Sequence, residues 1–485
     1  MKLRGDVAAN LGKLPKGLES TYSHICDEIF SQEEQCSDTA RAGLMWIMCA
    51  QQPLKVNEWI AATCYSAFLS EESSVDVLLD ICHQLVVVDH TLNVVRFCHL
   101  SVMEYLQKEY FTPEDAHFMA AESCMSVFEF DNVFEPLSQY SVEHWTTHII
   151  LCTSPEYHDQ SLRILRQFLG EADQPSQAYR NWVTSLQQCK LQNYDPNLLY
   201  AVHSNRIPPN PLFAAAWFPF GAKFPELWEL ERSKLDCTND YGLSLLLVAC
   251  LADHEEVVKI LLEKGADPNY GEDQQHPPGH PASTYRSPLR TAILNAHHKI
   301  ITMLLDYGAT INGSQSSGTD DLLNMVSQHA ESATVEDVLA RFPTVSVTEA
   351  TIRAAVKNLS HSVTIVQLLL EHDPNFSISE YVLISALENY KTGRQVIDFL
   401  LEKLPNLEIP WFVTKRAVES GVSAVKLLLP GLRDDFIKRA GLMAFELRKF
   451  DILELLLTWR YDYAHYFASK HVQGKDRRSL MTCAG

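Results

Sequence analysis

Positive charge is scarce in this sequence: 40 Lys and Arg stand against 61 Asp and Glu in 485 residues, a formal net charge of −21. A field of that sign disfavours phosphate backbones and anionic lipid surfaces. Long apolar runs are also missing. The longest uncharged stretch, Ile207 to Ala222, is broken by prolines. The more uniformly apolar Tyr241 to Ala252 has only about two-thirds of the length a bilayer crossing needs. Met1 is followed by Lys2, Arg4 and Asp6 without an apolar segment, so no secretory signal is expected. The 12 cysteines contain no Cys-x-x-Cys pair, which predicts reduced thiols used as small core residues, not a disulfide framework. Cytoplasm, or else nucleus, is the expected location. Neither a Gly-x-x-x-x-Gly-Lys-Ser/Thr phosphate loop nor a Gly-x-Ser-x-Gly elbow occurs.

What is present is ordinary globular composition, 46% hydrophobic and 21% charged, in a chain long enough for several domains. Sliding the sequence against itself is informative. A shift of 43 places Ser244 on Ser287, Leu246 on Leu289, Ala249 on Ala292, His254 on His297, Val257 on Ile300, and Gly265-Ala266 on Gly308-Ala309. Such a pattern predicts two short helices per unit. Alanines let the helices approach, Val/Ile/Leu form the shared face, and glycine provides a left-handed stop. These units resemble the ankyrin repeat through Ser287-Pro288-Leu289, Ala292, His297 and Gly308-Ala309, and through Leu246, Ala249, His254, Val257-Val258 and Gly265-Ala266-Asp267. The roughly ten residues beyond the usual period of about 33 fall in Asp273 to Ser283, a stretch suited to an exposed loop. Leu245, Leu247 and Asp253 replace the turn proline, the first-helix histidine and the inter-helix glycine, which predicts a distorted first unit. His254 and His297 are expected to cap backbone groups between helices. Pro211-Leu212 and Ala215 mark an earlier, degenerate unit whose Trp217, Phe218 and Phe220 are expected to pack on the preceding domain.

Beyond Asn312 the period is 31: Val335, Val366 and Ile397; Val338, Leu369 and Leu400; Leu339, Leu370 and Leu401; Val347, Ile378 and Ile409; Ala355, Ala386 and Ala417. Neither helix of such a unit buries its apolar face alone, so stacking is required. Val425-Lys-Leu-Leu-Leu, echoed 28 residues later at Leu453-Glu-Leu-Leu-Leu, ends the series.

In the N-terminal half, residues 14 to 30, 42 to 50, 56 to 66 and 75 to 82 read as helices. Leu85 to Val88 and Val94 to Phe97, separated by a polar turn, read as a β-hairpin. Helices followed by a hairpin are a winged-helix arrangement. The segments LPKGLESTY, QQPLKVNEW, LLDICHQLVVVD and VVRFCHLSVMEYL, with PLSQYSVEHWTTHI at 136 to 149, resemble the region after the NACHT nucleotide-binding module of fungal NLR-like (STAND) proteins. That resemblance implies an ATP-dependent switch, but the P-loop that would carry it is missing. The nearest fragments, Gly12-Lys13-Leu14 and Gly474-Lys475-Asp476, lack the earlier glycine and the hydroxyl.

The expected fold class is mainly α, with a winged-helix-like module bearing a small β-hairpin, a helical connector and an ankyrin-like α-solenoid. The expected layout is an N-terminal helical arm over 1–40, the winged-helix-like module over 41–110, the connector over 111–204 and ankyrin repeats over 205–315. About four to five 31-residue repeats would follow over 316–460, with a flexible tail over 461–485. Residues 1–110 carry 8 Lys/Arg against 15 Asp/Glu, which argues against a DNA-reading wing. Adjacent residues point apart, so Cys82-His83 and Cys98-His99 are expected to be structural. His276 and His280 have metal-like spacing but no cysteine partners. No catalytic, cofactor or metal residue is therefore expected, and no enzyme activity. The expected partner is another protein, with neither nucleic acid nor membrane. Tyr241, Tyr270, Tyr285 and Arg290 are candidate contacts, chosen because Tyr and Arg are enriched at interfaces. The competing readings are a truncated NLR-like sensor and, behind it, a cryptic enzyme or a DNA-binding regulator.

Overall fold

The computed structural model describes residues 16–69, 73–129, 135–152, 154–188, 210–229, 232–270, 287–311, 318–404, 409–429, 432 and 434–459. The described residues divide into two compact units, one ending at Ala266 and the other starting at Asp267. The tail expected over 461–485 lies outside them, as do His276, His280 and Tyr285. Among the described residues no helix is long and apolar enough to cross a membrane.

The first unit opens with helices Lys16–Phe30, Glu34–Cys49, Val56–Ser66 and Val75–Ile81. The second begins at Glu34, eight residues before the apolar run that announces it in the sequence. Its first turns are polar but bury Thr39 and Ala40, and Thr39 folds its hydroxyl back on the Gln35 carbonyl at 2.6 Å. Pro53 separates it from the next helix, where the Lys55 N–H donates to the Glu58 carboxylate at 2.8 Å and closes the N-terminus. Trp59 is fully buried and donates its indole N–H to the Gly43 carbonyl at 2.9 Å, tying these two helices together.

The antiparallel hairpin pairs Val86–Asp89 with Val94–Phe97, one residue later on its first strand than the sequence predicts. Asp89 is its last paired residue, because one carboxylate oxygen closes the turn by accepting the N–H groups of Thr91 and Leu92 at 3.0 and 3.3 Å. Leu54 to Val56 adds a short flank: Val95 N–H donates to Leu54 O at 3.0 Å and Val56 N–H to Asn93 O at 3.2 Å. Helix Leu100–Glu109 follows, and Tyr22 joins it to the first helix through a 2.8 Å hydroxyl contact with Ser101.

The connector runs through helices Pro113–Ser126, Glu135–Leu151, Pro155–Leu169 and Gln177–Gln188. Thr112 and Asp115 cap the first reciprocally, at 3.1 and 2.7 Å. The core here is aromatic. Trp145 meets Trp182 edge-on with ring centres 5.5 Å apart, and Phe168 and Phe220 lie 4.8 and 5.3 Å from Trp145. Phe220 belongs to the degenerate repeat that begins with helix Pro211–Trp217, and Phe218 lies 6.0 Å from Trp182. That repeat therefore packs on the connector, as its unusual aromatics predict.

The next repeat does not show the distortion expected from its substitutions. Its helices Leu245–Leu251 and Glu255–Glu263 have 7 and 9 residues, as do Pro288–Leu294 and His298–Asp306. Asp253 takes the left-handed conformation at φ 57°, and Ala296, its equivalent 43 residues on, does so at φ 59°. Neither is glycine. Asp reaches this region at low cost because its short polar side chain bonds locally, and Ala296 accepts the strain within the same turn.

Among its described residues the second unit continues with five helix pairs: Gly318–His329 with Ser332–Arg341, Glu349–Lys357 with Ser362–His372, Glu380–Glu388 with Gly393–Lys403, Trp411–Ser420 with Val422–Leu428, and Asp434–Glu446 with Phe450–Trp459. Each first helix packs on the next first helix, and each second on the next second, giving a two-layered stack. Val335, Val366 and Ile397 are fully buried, as are Val338, Leu369 and Leu400, so the period of 31 is the period of the core.

Candidate functional site

In a repeat stack the core positions recur, and whatever recurs outside the core is free to meet a partner. Of the residues picked from sequence, Tyr241, Tyr270 and Arg290 are described, and all three are half-buried. Tyr241 sits in the turn organised by Asn239, whose side-chain oxygen accepts from the N–H groups of Tyr241 and Leu243 at 3.0 and 3.1 Å. Tyr270 closes its repeat with a 3.2 Å bond from its N–H to the Asp267 carbonyl. Arg290 lies in the first turn of its helix, with its backbone N–H held by the Ser287 hydroxyl at 3.3 Å. These bonds hold the backbone of all three residues. His254 acts as the cap expected of it: its Nε2–H donates to the Trp217 carbonyl at 2.5 Å.

Several of the exposed aromatics lie in the 31-residue repeats. Tyr381 and Phe412 are 31 residues apart, each the second residue of its unit's first helix, and are 50% and 51% exposed. Leu359 and Tyr390, also 31 apart, occupy the turn between helices and are 43% and 83% exposed. The Arg353 guanidinium lies 5.8 Å from the Tyr381 ring centre, and that of Arg439 lies 4.0 Å from the ring of Trp411, the residue before Phe412. Exposed aromatic side chains are of the type enriched at protein interfaces. The signal in the sequence was an aromatic at a non-core phase of the repeat, where the preceding unit has Ala350.

A second constellation, in the first unit, went unseen in the sequence. Cys49 ends helix Glu34–Cys49, His117 lies in Pro113–Ser126, and His148 lies in the last turn of Glu135–Leu151. The Cys49 sulfur and one ring nitrogen of each histidine all lie within 4.8 Å of one another. His117 Nδ1 and His148 Nδ1 are 2.9 Å apart, and His148 Nε2 is 2.8 Å from the Tyr140 hydroxyl. That hydroxyl accepts the Gln51 N–H at 3.1 Å. Burial pushes the Cys49 thiol well above its ordinary value and Cys124 up to about 12. Burial first, then the neighbouring His117 and His144, brings His148 down to about 3. Burial also lowers His117, so the cluster is neutral at pH 7. Three residues 68 and 31 positions apart form no sequence motif.

The pairs weighed in the sequence behave as structural residues. Cys82 is buried, while His83 turns to Glu28 at 3.3 Å. Cys98 is exposed, and His99 caps a helix by accepting the Ser101 N–H at 3.2 Å.

Comparison with known proteins agrees with these two architectures. Residues 28–119 match the family model described as GPI inositol-deacylase, winged helix domain. Residues 212–315 match that of ankyrin repeats, three copies. A winged-helix module of that type and ankyrin repeats are therefore present in a mainly helical protein, and the repeats support a role in protein interaction. One curated relative, azaphilone pigments biosynthesis cluster protein L of Monascus ruber, is 25% identical over 322 residues, covering 55% of this chain and 64% of that protein. The chain thus spans less than two-thirds of that relative's length.

Proposed function

We propose that this chain is a non-catalytic scaffold or regulator that binds another protein, in cytoplasm or nucleus, through the 31-residue repeats. The observation that carries this reading is the recurrence of Tyr381 and Phe412, and of Leu359 and Tyr390, as exposed apolar residues at fixed phases of the repeat. Rigid aromatic side chains supply contact area at low entropic cost and dominate many interface energies. The net charge of −21 favours a partner with basic groups around the apolar contact.

The test is affinity capture with the chain and with a Tyr381→Ser, Tyr390→Ser, Phe412→Ser variant, followed by titration of the identified partner against both purified proteins. A loss of affinity of about 100-fold or more is expected, since central interface aromatics each contribute about 2 kcal/mol or more. Equal affinity for both proteins would move the binding face elsewhere. Turnover of a substrate by the pure chain would overturn the non-catalytic reading.

The order of winged-helix module, helical connector and repeats favours a second reading, in which these segments are the sensing part of an NLR-like nucleotide switch. Under that reading, partner binding would change the ATP turnover of a P-loop module joined to this chain. An unchanged rate would remove it.

A further inference from the structure

We propose that Cys49, His117 and His148 form a zinc(II) site, with Tyr140 as a positioning residue behind His148. The donor set is a thiol and two imidazoles, converging within 4.8 Å from three different helices. Sulfur and imidazole nitrogen suit zinc, whereas magnesium and calcium take oxygen donors. Tetrahedral zinc with bonds of about 2.0 to 2.3 Å holds such donors about 3.3 to 3.7 Å apart. The two Nδ1 atoms, now 2.9 Å apart, need to open by only a few tenths of an ångström.

The surrounding contacts are those a metal-binding histidine needs. His148 points one nitrogen at His117 and the other at Tyr140, at 2.9 and 2.8 Å. Metal-ligating histidines ordinarily hold their second nitrogen in this way. Tyr140 is itself fixed by the Gln51 N–H and by edge-on contact with Trp46 at 5.6 Å. Among the described residues the Cys49 thiol makes a long 3.9 Å contact to the Trp46 carbonyl and no stronger competing bond.

The plain alternative is a neutral hydrogen-bond chain. Tyr140 O–H donates to His148 Nε2, and His148 Nδ1–H donates to His117 Nδ1. That chain satisfies both nitrogens of His148 but leaves the thiol, with its long contact to the Trp46 carbonyl, outside it. On zinc binding, His148 transfers its N–H to Nε2, where it donates to the Tyr140 oxygen, and Cys49 releases one proton to solvent. Three protein donors leave a fourth position for water or another ligand. The ion would fasten the end of helix Glu34–Cys49 to the connector, joining the winged-helix module to the element after it.

The experiment titrates cobalt(II), zinc's spectroscopic substitute, into the chelator-stripped full chain and follows near-ultraviolet thiolate-to-cobalt absorption. Zinc affinity is then read by competition. One equivalent is expected, with the absorption lost in Cys49→Ser and retained in Cys98→Ser, whose thiol is exposed. His117→Gln, at a half-buried position, is expected to weaken zinc at least 10-fold. Tyr140→Phe is expected to weaken it by about 10- to 100-fold, the effect of removing an outer-shell partner. Circular dichroism in chelator checks the fold of each variant, and His117→Gln decides if Cys49→Ser fails to fold. Absence of saturable binding, or a His117→Gln protein that titrates like the parent, would overturn the proposal and leave the hydrogen-bond chain.

Discussion

The Asn389 carboxamide donates to the carbonyl oxygen of Asn358, 31 residues earlier, at 3.2 Å. It also reaches Val356 O at 2.6 Å, while its own oxygen accepts the N–H groups of Lys391 and Thr392, both at 3.1 Å. Asn358 repeats the device one unit back, donating to Ala330 O at 2.9 Å and Ser327 O at 3.3 Å. A buried amide at this phase thus ties these two inter-helix turns to the preceding unit.

Removing that amide leaves several buried backbone groups unsatisfied. Asn389→Ala is expected to cost about 3 kcal/mol, since each orphaned group carries about 1 to 3 kcal/mol. Asn389→Asp is expected to do no better, because it turns a carboxylate toward carbonyl oxygens. Urea unfolding of the three proteins measures this, and a loss under about 1 kcal/mol for Asn389→Ala would show that the ladder is dispensable.

Lys223 caps the helix that carries His148. Its ammonium donates to Ile149 O at 3.0 Å, Ile150 O at 2.8 Å and also to Cys152 O. A cation is favourable at a helix C-terminus, and bonds from charged groups are the stronger kind. Lys223→Met keeps the aliphatic stem and is expected to cost about 2 kcal/mol. Equal denaturant midpoints for variant and parent would contradict the cap.

Two glycines are held by close backbone approach. A Cβ at Gly393 would meet the Ala386 carbonyl oxygen at 1.9 Å, and one at Gly221 would meet that of Ala215 at 1.9 Å. Gly308, at φ +81°, has open space around it. Gly393→Ala and Gly221→Ala are each expected to cost about 3 kcal/mol through overpacking, against about 1 kcal/mol of backbone strain for Gly308→Ala. Thermal melts rank the three, and a larger loss at Gly308 would reverse the argument.

Acid should weaken the first ankyrin-type turn. Burial holds the His254 imidazole below its ordinary 6.5, outweighing the pull of Trp217 O and Asp253. The unfolded chain takes up a proton near pH 6.5, while the folded chain does so only at lower pH. This contribution is therefore whole above about pH 6.5 and declines as pH falls. His254→Gln should be less stable than the parent at pH 8, with the gap narrowing toward pH 5. A gap of constant size in melting temperature would contradict that titration.

Much of the fold was legible in the sequence because burial repeats. Val335, Val366 and Ile397 recur because each faces the same layer of the stack, and a period of 31 records that directly. The hairpin and the helix Val56–Ser66 were marked by their turn residues and β-branched runs. The start of helix Glu34–Cys49 was not, because its first turns are polar and only tertiary packing buries Thr39 and Ala40. How far each aromatic would be exposed was not legible, for a related reason. Tyr241 and Tyr270 are half-buried in turns, while Tyr381 and Tyr390 are exposed by their phase in a helix pair.

The sequence by itself determined the repeats, their two periods, the winged-helix order of helices and hairpin, and the acidic charge. All of these are written in neighbouring residues or at fixed intervals. Only the tertiary structure decided which side chains outside the core stay in solvent, and only it brought Cys49, His117 and His148 together. Convergence of groups from three helices depends on how those helices pack, and packing is set by shape and contact across the fold, which no linear spacing encodes.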